Sequence, residues 1–191
     1  MLLLASQSPR RRELLAQLGA VFQVVDVAVP EVRADGEAAA DYVLRVAGDK
    51  ARAGLAHAGP HDVVLGADTE VVLEERVFGK PADAAEARAM LAALAGRTHT
   101  VISAVCLVSR DRSAHAVCAS RVRFGPLRPA DIDAYVATGE WRGKAGGYAI
   151  QGRGGALVAH LEGSYSGVMG LPLYETAGLL RGFGPCAERA A

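Results

Sequence analysis

Apolar positions along the chain follow two spacings, every second residue and every third to fourth, and the two alternate. Leu2 to Ala5 is a short continuous apolar run, which predicts a buried strand. It breaks at Ser6-Gln7-Ser8. Pro9 then predicts a helix start, with Ser8 as N-cap and the proline where a missing N–H costs nothing. Val21 to Val25 alternates as a strand. From Ala38 to Ala58, the residues Val43, Leu44, Val46, Ala47, Ala51 and Leu55 fall at helical spacing, with Lys50 expected away from the most apolar stripe and Gly59-Pro60 as the stop. Asp62 to Leu73 reads as a strand, a small-residue break at Gly66-Ala67-Asp68-Thr69, and a second strand from Val71. A helix is expected from about Ala82 to Leu94. Thr98–Val108 and Ala114–Phe124 alternate as an antiparallel pair across a polar turn. Pro129 opens a short helix with Asp131 and Asp133 in its first turn, Ala156–Leu161 is a strand, and a last helix starts near Leu171-Pro172. Strands interleaved with helices predict an α/β fold, a central mixed sheet with helices on its faces.

Length and composition narrow the reading. A chain of 191 residues, 51% hydrophobic and 22% charged, suits one globular domain that can have two lobes. No repeat or linker divides it, so residues 1–184 read as one domain and residues 185–191 as a frayed tail. A formal net charge of zero gives no global field for nucleic acid or an anionic membrane, so any anion site must be local and its ligand small. No apolar run reaches the ~20 residues of a membrane span, and the apolar start is too short for a secretory signal. Cys106, Cys118 and Cys186 lack paired spacing and read as reduced thiols, which places the protein in the cytoplasm. His57 and His61 are separated by Gly59-Pro60, which prevents a shared helical face for a metal.

Against this background a few residues stand out. Arg10, Arg11 and Arg12 occupy the first turn of a helix, where the dipole already places positive charge; a strand-to-helix turn with guanidiniums suits a phosphate or polyphosphate. Only three of the 21 basic residues are lysines, and Lys80 and Lys144 lie in glycine-containing turns that suit point contacts with phosphate. Asp68 falls between two buried apolar runs, a costly place for a carboxylate unless it is paired or used; a turn aspartate bonding its own backbone explains it equally well. Glu31, after Val29-Pro30, reads by itself as a solvated loop residue. Residues 138–155 hold seven of the 22 glycines without forming a Walker or dinucleotide-binding pattern. Within that loop Gln151 carries an amide donor and acceptor suited to a base edge. Trp141 and Arg142 receive no role.

SQSPRR from Ser6, the Glu31 region, GDKA, GADT, GKP and GKAGGYAIQGRGG…EGSYSGVMGLPL occur in one order that resembles the Maf family of nucleoside triphosphate pyrophosphatases. The K-A-G-x-Y-x-I-Q-G segment is similar to the branch acting on dTTP and UTP. The resemblance implies a cleft between two lobes, a homodimer, and hydrolysis of a nucleoside triphosphate to the monophosphate and pyrophosphate. It implies Asp68 as catalytic base and Glu31 with Asp68 on Mg²⁺ or Mn²⁺, Glu70 being a weaker candidate. Ser8, Arg10, Arg11, Lys50, Lys80 and Lys144 would form the polyanion cradle, with Arg12 pointing outward. By motif alignment the pyrimidine-selectivity positions fall on Arg10, Thr69 and Gln151. Two alternatives stay open: the same chemistry on 7-methyl-GTP, inosine-type or other non-standard nucleotides, and a nucleotide-binding regulator of septum formation.

Overall fold

The computed structural model describes residues 1–184, so the expected tail at 185–191, with Cys186, lies outside the described residues. The strands are β1 (Leu2–Leu4), β2 (Phe22–Val24), β3 (Val63–Leu73), β4 (Arg76–Phe78), β5 (Thr98–Val108), β6 (Ser113–Phe124) and β7 (Val158–Glu162). The helices are α1 (Pro9–Gln17), α2 (Ala39–Gly54), α3 (Ala84–Leu94), α4 (Pro129–Val136), α5 (Tyr165–Met169) and α6 (Leu173–Phe183). The strands form one mixed sheet in the order β2-β1-β3-β5-β6-β7, with β4 paired to β3. β1 is parallel to both its neighbours, Leu3 standing opposite Gln23 of β2 and Val64 of β3. A parallel strand must be covered on its faces, and β1 is accordingly apolar throughout and buried. None of the described helices is long and apolar enough to cross a membrane.

The described residues divide into two compact units. Residues 1–69, 103–118 and 170–184 make the first, and residues 70–102 and 119–169 the second. In the first, α2 lies on the sheet with Val43, Val46, Ala47 and Ala51 fully buried. Its approach is unusually close. A Cβ on Gly54 would stand 2.6 Å from Val64 Cγ1, and one on Gly66 would stand 2.2 Å from the Ala47 carbonyl oxygen. Glycine is therefore required where helix backbone meets strand. In the second unit Leu91 and Leu94 of α3 are fully buried, with Ile132 and Tyr135 of α4 nearly so.

Three expectations need correction. The G-A-D-T segment does not interrupt a strand: β3 runs unbroken from Val63 to Leu73, because its small residues leave room for α2 without breaking the ladder. Lys50 does not lie off the buried stripe of α2. It follows Val46 by four residues and Ala47 by three, which puts it on the same face, and it is 8% exposed. Ser8 has the extended backbone of an N-cap but makes no side-chain capping bond. Its N–H instead donates to Ser6 Oγ at 3.2 Å. β4 and α5 are additional to the elements expected from spacing, and β7 begins at Val158, two residues past the expected Ala156, because residues 153–157 form a 3-10 turn.

Candidate active site

In the first unit, a loop, a helix and a strand bring together Glu31, Lys50 and Asp68. Gly66 lets α2 descend onto β3, and Asp68 lies two positions further along the strand, on the same face. The Lys50 ammonium stands 2.8 Å from Asp68 Oδ1 and 2.6 Å from Glu31 Oε1. Asp68 is 6% exposed. A carboxylate so buried needs a positive partner, and Lys50 supplies it. The Glu31 loop is clasped from α2 by Arg45, whose Nη2 donates to the Val32 carbonyl at 3.0 Å. Arg45 also grips Glu37 at 2.7 and 2.8 Å. That guanidinium draws the Glu37 carboxyl down to about 2.

The first turn of α1 completes this unit's cluster. Arg11 Nε donates to the Gly170 carbonyl at 2.9 Å, Nη1 to Ser6 Oγ at 3.3 Å and Nη2 to Thr69 Oγ1 at 3.3 Å. Arg11 is thus a strap joining the start of α1 to β3 and to the segment before α6, with donors to spare. Burial lowers its pKa from the ordinary guanidinium value, and the negative charges of Asp68 and Glu31 oppose that shift. Thr69 Oγ1 is also 2.7 Å from Ser103 Oγ of β5. Arg10 is half-buried, Ser8 likewise, and Arg12 is exposed, in keeping with the outward direction expected of it.

Lys80, Lys144 and Gln151 belong to the second unit, as does Glu70. There the two lysine-bearing turns are joined, since the Gly146 N–H donates to the Gly79 carbonyl at 3.1 Å. Gly146 has φ of +67°, and a Cβ on it would press within 2.9 Å of Val71. Lys144 Nζ donates to the Arg142 carbonyl at 3.0 Å, while Gln151 is exposed. The loop that carries Gln151 is fixed by its own backbone and by neighbours. Tyr135 Oη accepts from the Ala149 N–H at 3.0 Å, and Glu140 Oε2 accepts from the Arg153 N–H at 2.9 Å. Tyr148 Oη lies 2.9 Å from His99 Nε2, and both rings meet Phe124 edge to face. Trp141 is buried and donates to the Val136 carbonyl at 3.0 Å, a packing role.

Sequence reasoning passed over Ser6, Ser103 and His99. The available signal was polarity on buried strands, since Ser103 and His99 are each 1% exposed within β5. His99 Nδ1 is buried without a hydrogen-bond partner, so a proton added there meets no acceptor. Burial accordingly lowers the His99 pKa to about 4. An unfolded histidine titrates near 6.5. The unfolded chain therefore binds the extra proton first, and stability falls as pH drops from about 6.5 toward 4, by up to about 3 kcal/mol. Denaturant unfolding at pH 7, 6 and 5 should show this slope, reduced by about one proton in His99→Phe; an unchanged slope would trace the effect to other groups.

Glu31 and Asp68 fit a hard divalent cation. Two carboxylates that converge on one positive charge offer the oxygen donors such an ion takes. Among the described residues no cluster of three or more His, Cys, Asp or Glu side chains is placed to hold a metal. The remaining positions on an ion would fall to water and phosphate oxygens, the usual way Mg²⁺ is held at phosphate sites.

Over residues 1–183 the chain matches the family described as Maf-like protein. It is 59% identical over 188 residues to the dTTP/UTP pyrophosphatase of Xanthomonas oryzae pv. oryzae (strain MAFF 311018), covering 96% of this chain and 99% of that one. It is 58% identical over 183 residues to the dTTP/UTP pyrophosphatase of Methylococcus capsulatus, covering 96% and 91%. Among solved structures, a nucleoside-triphosphatase / dITP/XTP pyrophosphatase from Mycobacterium abscessus is similar with a TM-score of 0.43 at 20% identity, over 66% of this chain and 75% of that one.

Proposed function

The chain belongs to the Maf family, and from that premise we propose that it is a nucleoside triphosphate pyrophosphatase that cleaves dTTP and UTP to the monophosphate and pyrophosphate. The observation that carries the reading is the pair of carboxylates Glu31 and Asp68 converging on one positive charge at 2.6 and 2.8 Å. One carboxylate held on a strand and a second on a loop suit hydrolysis at a phosphorus atom, which needs a base and a counter-charge.

In this reading Asp68 accepts the proton of the water that attacks the α-phosphorus. Ser8, Arg10, Arg11, Lys50, Lys80 and Lys144 oppose the charge of the triphosphate and of the leaving pyrophosphate. Glu31 and Asp68 would hold Mg²⁺ or Mn²⁺, which would supply Lewis-acid neutralisation of charge on the phosphate oxygens. Arg10, Thr69 and Gln151 select the base. The Thr69 hydroxyl is held in one orientation, since Oγ1 accepts from Arg11 Nη2, contacts Ser103 Oγ and donates to the Gly170 carbonyl at 3.5 Å. Gln151 can donate to a carbonyl of uracil or thymine while accepting from its N3–H. A cytoplasmic setting suits a nucleotide substrate and the buried, unbridged Cys106. A homodimer and the absence of nucleic-acid or membrane partners complete the proposal.

Pyrophosphate release from dTTP, UTP, CTP, GTP, 7-methyl-GTP and ITP, with Mg²⁺ or Mn²⁺, tests the reading. Release from dTTP and UTP is the expected result. A preference for 7-methyl-GTP or ITP would overturn the substrate assignment, and binding without release would favour a nucleotide-binding regulator. Gln151→Glu exchanges an amide donor for an acceptor and should reduce the preference for dTTP and UTP over CTP about tenfold, the worth of one hydrogen bond. Unchanged kcat/KM ratios across the panel would remove Gln151 from base recognition.

A further inference from the structure

The position between Glu31 and Asp68 is not vacant of charge. The Lys50 ammonium stands there, in hydrogen-bond contact with an oxygen of each carboxylate. We propose that Lys50 is the resident counter-ion of this pair, that a divalent cation binding there displaces it, and that metal affinity in the absence of nucleotide is therefore held low. The proposal rests on the reading of Glu31 and Asp68 as metal ligands.

An ammonium contacts carboxylate oxygens at 2.6 and 2.8 Å here, whereas Mg²⁺ demands oxygens at about 2.0–2.1 Å. A metal held by the same two oxygens would compete with Nζ for them, and its shorter bonds leave no room for an ammonium hydrogen-bonded to the same pair. With the Arg11 guanidinium, whose charge is felt by Asp68 and Glu31, the cluster is neutral while Lys50 is in place. A divalent ion that expels the ammonium leaves one net positive charge, whereas keeping both cations would leave two in a largely buried place, which low local dielectric penalises. Lysine is suited to yield, since its charge rides on four rotatable methylenes. Access is available on one side: the Glu31 side chain is 37% exposed, against 11% for Lys50 and 9% for Asp68. The displaced ammonium remains near the cluster and needs a new anionic partner, which a polyphosphate supplies. Metal and nucleotide then bind together with positive coupling.

Lys50→Met keeps the stem and removes the charge. Without nucleotide, Mn²⁺ titration followed by electron paramagnetic resonance should show at least tenfold tighter binding in Lys50→Met than in the wild type. Adding Asp68→Asn to Lys50→Met should cancel that gain. Equal Mn²⁺ affinities in wild type and Lys50→Met would overturn the proposal while leaving the metal reading intact. Absence of bound Mn²⁺ from the wild type with a non-hydrolysable α,β-methylene dTTP, and from Lys50→Met, would overturn the metal reading and this proposal with it.

Should Lys50→Met fail to fold, the wild type carries the test, because the chain has only three lysines, Lys50, Lys80 and Lys144. With lysine labelled at Cε and Nζ, three resonances report on all of them. Mg²⁺ added with the analogue should shift the Lys50 signal and abolish its coupling to the carboxylates. A Lys50 resonance unmoved while Mn²⁺ broadens it as a neighbouring paramagnet would show metal and ammonium side by side, contrary to displacement.

Discussion

Asp68→Asn is expected to lower turnover of dTTP and UTP by about two to four orders of magnitude, the range for loss of a general base, with nucleotide affinity measured without divalent metal kept or increased. Asparagine preserves the shape and one acceptor oxygen, so Lys50 retains a partner on β3 as well as Glu31 at 2.6 Å. What disappears is the carboxylate that can hold a proton. The substitution also removes a negative charge from beside Lys50 and Arg11, which favours a triply charged polyphosphate. The separation of kcat from binding is therefore the diagnostic. Single-turnover rates with enzyme in excess give the first, and equilibrium binding of a non-hydrolysable analogue without divalent metal gives the second. Loss of both in proportion would refute the base assignment and make Asp68 a structural anchor. The fold should tolerate the change at a cost of about 1–3 kcal/mol, less than leaving a buried charge wholly unpaired, and a melting curve checks that the inactive protein is native.

Much of this architecture was legible from spacing alone, and the exceptions have physical causes. The strand at Leu2–Leu4, the helix from Pro9 and the long pair β5 and β6 carry clear periodicity or turn residues. The hairpin of β3 and β4 does not. Its turn places Glu74 at φ of +57° without the glycine or asparagine that ordinarily marks such a conformation. The helix Tyr165–Met169 is five residues long, too short for a 3.6-residue period to register. The break expected at G-A-D-T followed from strand propensity, which small residues lower, whereas the structure uses their smallness for tertiary contact. Arg11 and Asp68 stood out by their chemistry at their positions in the chain, whereas Lys50 and Thr69 entered only through the resemblance. Their pairing was not legible, because it joins a loop, a helix and a strand distant in the chain. Lys50 in particular reads as a surface cation until the carboxylates that justify its burial are seen beside it.

Gly66 tests that tertiary contact most sharply, and Gly66→Ala is expected to be the most destabilising of these single changes. Local propensity predicts the opposite sign, since alanine in place of glycine favours an ordered strand by roughly 0.5–1 kcal/mol. The new Cβ would stand 2.2 Å from the Ala47 carbonyl oxygen and 2.5 Å from the Ala51 nitrogen. Both are backbone atoms of α2, so no rotamer change relieves the contact. The helix must move outward by about 1 Å, and Val43, Val46, Ala47 and Ala51, all fully buried, lose packing together. Overpacking of this kind costs about 1–3 kcal/mol and more where the obstacle is backbone; 3 kcal/mol corresponds to roughly 6–12 °C in Tm for a chain of this size. The same movement draws Lys50 away from Asp68, so its lysine resonance should shift toward that of a solvated side chain. Adding Ala51→Gly removes a side chain 3.0 Å from the new Cβ but leaves the backbone where it is, and should not restore stability. Full rescue by Ala51→Gly would place the obstacle in the side chain. A Gly66→Ala protein as stable as the wild type would show that α2 is free to ride outward, and the close approach would then not be what brings Lys50 to Asp68.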